Sequence, residues 1–82
     1  MAYLSKFNDH IQTEDFDQKY IIDEVSSTLT YIGFAPPGSS ESNPIWKIYR
    51  ASVSGTITKV EYANGNSGYL NIWANRASIT YS

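Results

Sequence analysis

His10 is the only histidine of the 82-residue chain, and the chain contains no cysteine, so few side chains could carry out chemistry. A structural zinc site normally uses several Cys or His ligands, and a site built from one imidazole and carboxylates is rare. The Ser and Thr residues lack a recognisable base in a nucleophile setting, and neither a GxSxG motif nor a glycine-rich phosphate loop occurs. The sequence therefore predicts no metal site, no cofactor and no enzymatic activity.

Two pairs of carboxylates could in principle serve acid/base catalysis or hold calcium. They are Asp15 with Asp17 and Asp23 with Glu24. The central Gly and terminal Glu of a calcium-binding loop are missing around both pairs, so solvated acidic residues are the favoured interpretation. Arg76 adds a structural possibility, because its guanidinium could form an ion pair with Asp23 or Glu24, or stack on an aromatic ring.

Aromatic side chains, 15% of the sequence, form the other candidate binding surface. Aromatic faces can stack on sugar rings while neighbouring amides bond the hydroxyl groups. The competing interpretation is that the two tryptophans are core residues, which a domain of this size needs. The candidate sugar-binding residues are Tyr31, Tyr49, Tyr62, Tyr69, Trp46 and Trp73, with the amides of Asn43, Asn64, Asn66, Asn71 and Asn75.

The charges are unevenly distributed although the net charge is only −2. Residues 1–24 carry six acidic and two basic side chains, whereas residues 25–82 carry four basic and two acidic ones. Either both regions are solvated faces, or the acidic segment docks on a basic patch of its own domain or of a neighbour. Nucleic acid is not expected as a partner, because no cluster of Lys and Arg is available to neutralise phosphates.

The sequence gives no reason to expect a membrane partner. No apolar run reaches the roughly 18–20 residues that cross a bilayer. The first residues lack the cationic and apolar regions of a signal peptide. We therefore expect the chain to be made and kept in the cytoplasm, unless it leaves as part of a particle.

Residues 45–50 are predicted to form the central strand of the fold. This stretch combines β-branched, aromatic and long side chains without Gly, Pro, Asn or Asp. Trp46 and Ile48 would lie on one face of the strand, and Ile45 and Tyr49 on the other. A strand that is apolar on both faces is central in a sandwich or lines a contact with another chain.

Other stretches of the same composition, separated by turn residues, predict further strands. Gly33 indicates a bulge or the close approach of a large ring, and Asn64 followed by Gly65 predicts a tight hairpin turn. Residues 69–76 fit either a strand or a single helical turn. The remaining predicted elements are strands at residues 19–24, 29–35, 56–62 and 77–81, and a turn at residues 52–55. The sequence thus predicts an all-β domain over residues 19–82, a small antiparallel β-sandwich or open barrel of five to six short strands.

The predicted core follows from strand alternation and from the scarcity of other large apolar side chains. A chain this short buries only roughly 60–65% of its unfolded surface, so its tryptophans are needed inside. The predicted core residues are Trp46, Ile48, Trp73 and Ile79, together with Ile32 and Val60.

Residues 1–18 have no clear period and are predicted to form an extended or partly helical N-terminal arm. Their large apolar side chains are costly to leave in water, and a disordered tail would usually lack them. We expect a neighbouring subunit to bury these side chains, because a small β domain has little free surface against which such an arm could pack. The predicted interface residues are Tyr3, Leu4, Phe7 and Ile11.

Three blocks of the sequence resemble a widespread group of small bacteriophage virion proteins. The family's opening, middle and closing patterns are matched in order by residues 23–26 (DEVS) and 29–35 (LTYIGFA), by residues 37–39 (PGS) and 46–50 (WKIYR), and by residues 62–65 (YANG) and 72–81 (IWANRASITY). From residue 22 to the end, about three-quarters of the chain is covered. Tyr62 stands where the family often has Trp, and Ala74 where it often has Asp.

The resemblance implies a non-enzymatic structural protein of the virion, a capsid- or tail-associated accessory or decoration module present in many copies. It implies no cofactor, and its partners would be other virion proteins and copies of the chain itself. The lack of cysteine and of a signal peptide fits assembly in the host cytoplasm followed by release in the virion. The alternative is a carbohydrate-binding module that contributes to host attachment through the aromatic and Asn residues.

Overall fold

The computed structural model describes residues 18–82, which form a single four-stranded antiparallel sheet and one short helix. The strands follow one another in the sheet in the order β1-β2-β3-β4. This confirms the all-β prediction, but residues 18–82 form one open sheet of four strands instead of a five- to six-stranded sandwich or barrel. The elements are β1 (Lys19–Ser26), β2 (Leu29–Ala35), β3 (Lys47–Ser54), β4 (Ile57–Tyr62) and a 3-10 helix (Trp73–Ser78).

Tight turns connect the first two and the last two strands, so each pair is a hairpin. Ser27 and Thr28 join β1 to β2, and Gly55 and Thr56 join β3 to β4. Gly55 has a φ of 61°, a conformation that glycine adopts without steric cost at a two-residue hairpin turn. The connection from β2 to β3 is longer and contains the Pro36-Pro37-Gly38 sequence.

The central strand lies further along the chain than the sequence predicts. Residues 45–50 were expected to form it, whereas β3 begins at Lys47 and continues to Ser54, so residues 52–54 are strand and not turn. Trp46 precedes the strand and makes an isolated antiparallel bridge with Asn71. Ile45, expected on the opposite face from Trp46, packs against the same core. Alternation between the two faces therefore does not extend to the residues that precede β3.

The predicted C-terminal strand at residues 77–81 is not formed. The 3-10 helix continues to Ser78, and only Tyr81 makes a β-bridge, with Ala63. The helical alternative for residues 69–76 is the one observed, from Trp73 onward. The final residues are instead held beside the end of β4, where the Tyr62 and Ser82 backbones exchange hydrogen bonds of 3.0 and 3.1 Å.

The two faces of the sheet have different roles. The face that we call the tryptophan face carries Tyr31 and Ile48 and is covered by Trp46, Trp73 and Tyr81, which form one buried cluster. The opposite face carries a line of rings, one from each strand, that we call the aromatic row: Tyr20, Phe34, Tyr49 and Tyr62.

Val60 is not a core residue, contrary to the prediction, because it is 56% exposed. Its partner across the sheet is Ala51, whereas Glu61 pairs with Arg50 and therefore lies on the tryptophan face. Alternation consequently directs Val60 away from the tryptophans, on the edge strand. Ile32 is buried as expected, but its partners Ile22 and Tyr49 place it on the face of the aromatic row.

Candidate functional site

The centre of the molecule is a contact between the two tryptophan rings. The centroids of Trp46 and Trp73 are 5.7 Å apart at an interplanar angle of 36°, and the two residues are 0% and 1% exposed. Gly33 of β2 makes room for them, because a Cβ atom built there would lie 2.5 Å from Cε3 of Trp73 and 3.1 Å from Cε3 of Trp46. The predicted close approach of a large ring to Gly33 is therefore observed.

The backbone around Trp46 is tied to the C-terminal segment on the same side of the sheet. Trp46 N donates to Asn71 O at 2.8 Å, and Asn71 N donates to Trp46 O at 3.0 Å. The indole Nε1 donates to Ser40 O at 3.0 Å, so the buried ring has its polar atom satisfied. Asn71 also accepts a 3.1 Å hydrogen bond from the side chain of Asn64. Asn71 was considered as a sugar ligand, but the structure uses it to anchor this segment.

Arg76 connects the helix to β1. Its Nε and Nη2 atoms lie 3.0 and 2.9 Å from Oδ2 of Asp23, and its guanidinium carbon lies 4.6 Å from the ring centroid of Trp73. Nη1 also donates to Trp73 O at 3.2 Å. Of the two carboxylates predicted as partners, Asp23 is the one that pairs with Arg76. The predicted stacking of Arg76 on an aromatic ring occurs as well, on Trp73. Glu24 lies on the opposite face, across from Thr30.

Tyr81 connects the helix to the inner strands. Its hydroxyl donates to Arg76 O at 2.9 Å, and its ring lies 5.7 Å from that of Tyr31. Arg50 of β3 places its guanidinium carbon 4.7 Å from the Tyr81 ring and pairs with Glu61 of β4 at 3.2 Å. Arg76 and Tyr81 thus link the C-terminal layer to β1, β2 and β3, and sequence reasoning missed both Tyr81 and Arg50.

Four of the six predicted core residues lie together on the tryptophan face, whereas Ile32 and Val60 lie on the other face. Trp46, Ile48 and Trp73 are almost fully buried, and Ile79 is partly buried and packs against them. The predicted arm residues fall outside the described part of the chain. These are Tyr3, Leu4, Phe7 and Ile11.

The proposed sugar-binding aromatics do not share one surface. Trp46, Trp73 and Tyr31 are buried, so their ring faces cannot stack on a sugar. Tyr49 and Tyr62 lie on the opposite side of the sheet, with ring centroids 5.6 Å apart in an edge-to-face arrangement. Tyr69 is exposed, but its hydroxyl accepts a 3.0 Å hydrogen bond from Gln18.

The charged and aromatic side chains around the two tryptophans are arranged for a structural role. Within residues 18–82, no group of three or more His, Cys, Asp and Glu side chains is placed to hold a metal ion. The charged groups of the cluster are Arg–carboxylate pairs with rings beside them, a combination that positions elements. Arg50 Nε is buried without a hydrogen-bond partner, at the point where its guanidinium lies over Tyr81.

The described chain contains no helix of sufficient length and apolar character to span a bilayer.

Comparison with known proteins provides no relative from which a role could be transferred. The chain matches no protein-family model, no curated protein and no solved structure. The class that the geometry defines is therefore a small all-β module with a cation–aromatic cluster.

We expect the Arg76–Asp23 pair to contribute measurably to stability. Arg76→Ala should lower the free energy of unfolding by about 1–3 kcal/mol, because it removes a half-buried ion pair together with ring stacking. The double-mutant cycle with Asp23→Asn, measured by urea denaturation, should give a coupling energy on the order of 1 kcal/mol. Glu24→Gln is the matched control, and a coupling as large for Glu24 as for Asp23 would contradict the assignment.

Tyr81 should make the protein sensitive to alkali. Burial, with a smaller effect of neighbouring Tyr31, raises the pKa of Tyr81 from 10.0 to about 12. The folded protein therefore holds this proton more tightly than the unfolded chain, and the stability it confers is complete below pH 10 and is lost as the pH rises towards 12. Tyr81→Phe should show a shallower decline of the unfolding free energy between pH 10 and 12. An equal decline in both proteins would show that other groups dominate.

Proposed function

We propose that this chain is a non-enzymatic structural module of a bacteriophage virion, present in many copies on the capsid or tail and assembled in the host cytoplasm. The observation that supports the proposal is the position in the fold of the residues that resemble the phage family. Trp46, Gly33, Asp23 and Arg76 belong to the matching blocks, and each of them joins the tryptophan cluster. A set of residues that specifies a scaffold is what a structural component requires.

Among residues 18–82, the edge of the sheet formed by β4 has features that suit a protein present at high local concentration. β4 is an edge strand, and Ile57 and Val60 on it are 63% and 56% exposed. Such an edge can pair with other chains and aggregate. Lys59 stands at its middle, so an antiparallel pairing of two β4 strands centred there would place Lys59 opposite Lys59 of the second copy. Ser82 occupies the edge beside Tyr62. Both features oppose uncontrolled strand pairing.

The carbohydrate-binding alternative has weaker support. It requires several exposed ring faces on one side of the molecule, whereas the tryptophans are buried and the tyrosines of the aromatic row contact one another. Asn71, one of the proposed ligands, is 8% exposed and bonded to the backbone of Trp46. A glycan array with the purified protein tests this alternative directly, and specific binding of a glycan would favour it.

The virion proposal is tested by locating the chain in purified particles. Quantitative mass spectrometry of gradient-purified virions should detect it at many copies per particle, and gold-labelled antibody should decorate the capsid or the tail. A particle preparation treated with protease and salt, to remove adsorbed host proteins, is the control. If the chain is absent from such particles, or is recovered only in the soluble lysate, the proposal is wrong.

A further inference from the structure

The turn after β4 places an Asn-Gly pair against the C-terminal segment of the chain. Asn64 and Gly65 are both exposed, with φ angles of 55° and 65°. Because glycine carries no side chain, its backbone nitrogen can approach the side-chain carbonyl carbon of a preceding asparagine without steric hindrance. Asn-Gly is for this reason the pair in which an asparagine most readily loses its amide group.

We propose that Asn64 is a modification site whose deamidation is controlled by the fold of the C-terminal segment. Gly65 N attacks Asn64 Cγ, the new N–C bond closes a succinimide ring, and the Cγ–Nδ2 bond breaks. The departing nitrogen takes up the proton of Gly65 N and leaves as ammonia. Water then opens the ring at either carbonyl and yields an aspartate or an isoaspartate at position 64. Water is the only co-reactant, and the inference does not depend on the virion proposal.

Two hydrogen bonds oppose this attack in the folded chain. Gly65 N, the nucleophile, donates its proton to Tyr62 O at 3.0 Å, so this bond must break before the nitrogen can lose the proton. Asn64 Nδ2, the leaving group, donates to Asn71 Oδ1 at 3.1 Å, which holds the side chain in place. Ring closure therefore requires a local opening of the turn, and deamidation should be slower in the folded protein than in the unfolded chain.

The C-terminal segment keeps the turn closed. Asn64 N donates to Thr80 O at 2.7 Å, and Tyr62 O accepts from Ser82 N at 3.1 Å as well as from Gly65 N. Ser82 also packs against the turn, since a Cβ atom built at Gly65 would lie 2.6 Å from Ser82 Oγ. Opening the turn therefore requires these contacts with the C-terminal segment to loosen.

The products cannot restore the original contacts. A carboxylate only accepts hydrogen bonds, so at position 64 it would face another acceptor, Asn71 Oδ1. Turning the Asn71 amide over does not solve this, because its Nδ2 donates to Trp46 O at 3.4 Å and its oxygen would then face that carbonyl. An isoaspartate adds a methylene group to the main chain between the nitrogens that donate to Thr80 and Tyr62, so both bonds cannot keep their geometry. Deamidation thus loosens the C-terminal segment irreversibly.

Peptide mapping by mass spectrometry, after timed incubation of the full chain, tests the control by the fold. In guanidinium chloride, Asn64 should lose its amide faster than Asn66 and Asn75, which precede the larger residues Ser67 and Arg76. In native buffer at the same pH, the rate at Asn64 should fall about tenfold or more, because only the open fraction reacts. Equal rates at Asn64 in the two conditions, or a rate at Asn66 that matches Asn64 in denaturant, would overturn the inference.

A pair of variants tests the consequence of the modification. Asn64→Asp should lower the melting temperature by about 4–8 °C and accelerate amide hydrogen exchange at Ser82. Asn66→Asp is the matched control, because Asn66 Oδ1 accepts from Gly68 N at 2.6 Å, a role that a carboxylate retains. This control should leave the melting temperature and the exchange at Ser82 unchanged. If both variants behave alike, the added charge and not the contact with Asn71 is responsible, and the proposed link to the C-terminal segment is wrong.

Discussion

Trp46→Ala is expected to lower the free energy of unfolding by about 3–5 kcal/mol, the usual cost of emptying a tryptophan site in a core. The ring is fully buried, its contact with Trp73 is lost, and Ser40 O loses the hydrogen bond from the indole. Small domains are stabilised by only about 5–15 kcal/mol, so the variant should lose a large part of its stability and melt at a much lower temperature.

Thermal and urea unfolding followed by circular dichroism provide the measurement for Trp46→Ala. Tyr69→Ala is the matched control, because this aromatic is 40% exposed and its truncation should change stability by less than about 1 kcal/mol. Equal melting temperatures for Trp46→Ala and the unaltered protein would show that the tryptophan contact is not the centre of the fold.

Local sequence patterns correctly predicted the strands whose own residue types favour β structure. β2 was placed at its observed bounds, and β4 to within one residue, because both are rich in β-branched and aromatic residues and end at turn residues. The Asn64-Gly65 turn followed from the tolerance of these residues for positive φ, and both adopt it, at 55° and 65°. The turn does not close the predicted hairpin, because Ala63 before it pairs with Tyr81. These features depend on residues that are close together in the sequence.

The C-terminal segment could not be predicted in the same way, because contacts distant in sequence determine it. Residues 77–81 alternate like a strand, yet the hydrogen bond from the Tyr81 hydroxyl to Arg76 O and the stacking of Arg76 on Trp73 stabilise a compact helical turn. Local propensity is weak compared with such tertiary contacts. The same applies to Val60, whose exposure depends on the register of β4 against β3.

The candidate cluster was predictable in its residue types but not in its pairings. Arg76 near Trp73 indicated an ion pair or a stacking contact, and the sequence could not distinguish Asp23 from Glu24. The register of β1 against β2 makes the distinction, because Asp23 lies across from Tyr31 on the tryptophan face. A shift of one residue would have directed Glu24 to Arg76 instead. The cluster is therefore a consequence of register, which a single sequence does not specify.

Gly33→Ala is expected to lower the free energy of unfolding by about 2–4 kcal/mol, although it adds only one methyl group. The new Cβ would lie 2.5 and 2.6 Å from two atoms of the Trp73 ring, closer than real Cβ contacts, so the ring must move. The ring cannot move freely, because Trp46 lies on one side and the Arg76 guanidinium lies over it.

A comparison with Gly38→Ala isolates the steric cause in Gly33→Ala. Gly38 has a φ of 83° and open space around a built Cβ, so its substitution should cost only the backbone strain of about 1–2 kcal/mol. Combining Gly33→Ala with Trp73→Phe should cost less than the sum of the two single changes, because the smaller ring relieves the overlap. Additive costs in urea denaturation would mean that Gly33 is needed for its backbone flexibility and not for the space it leaves to Trp73.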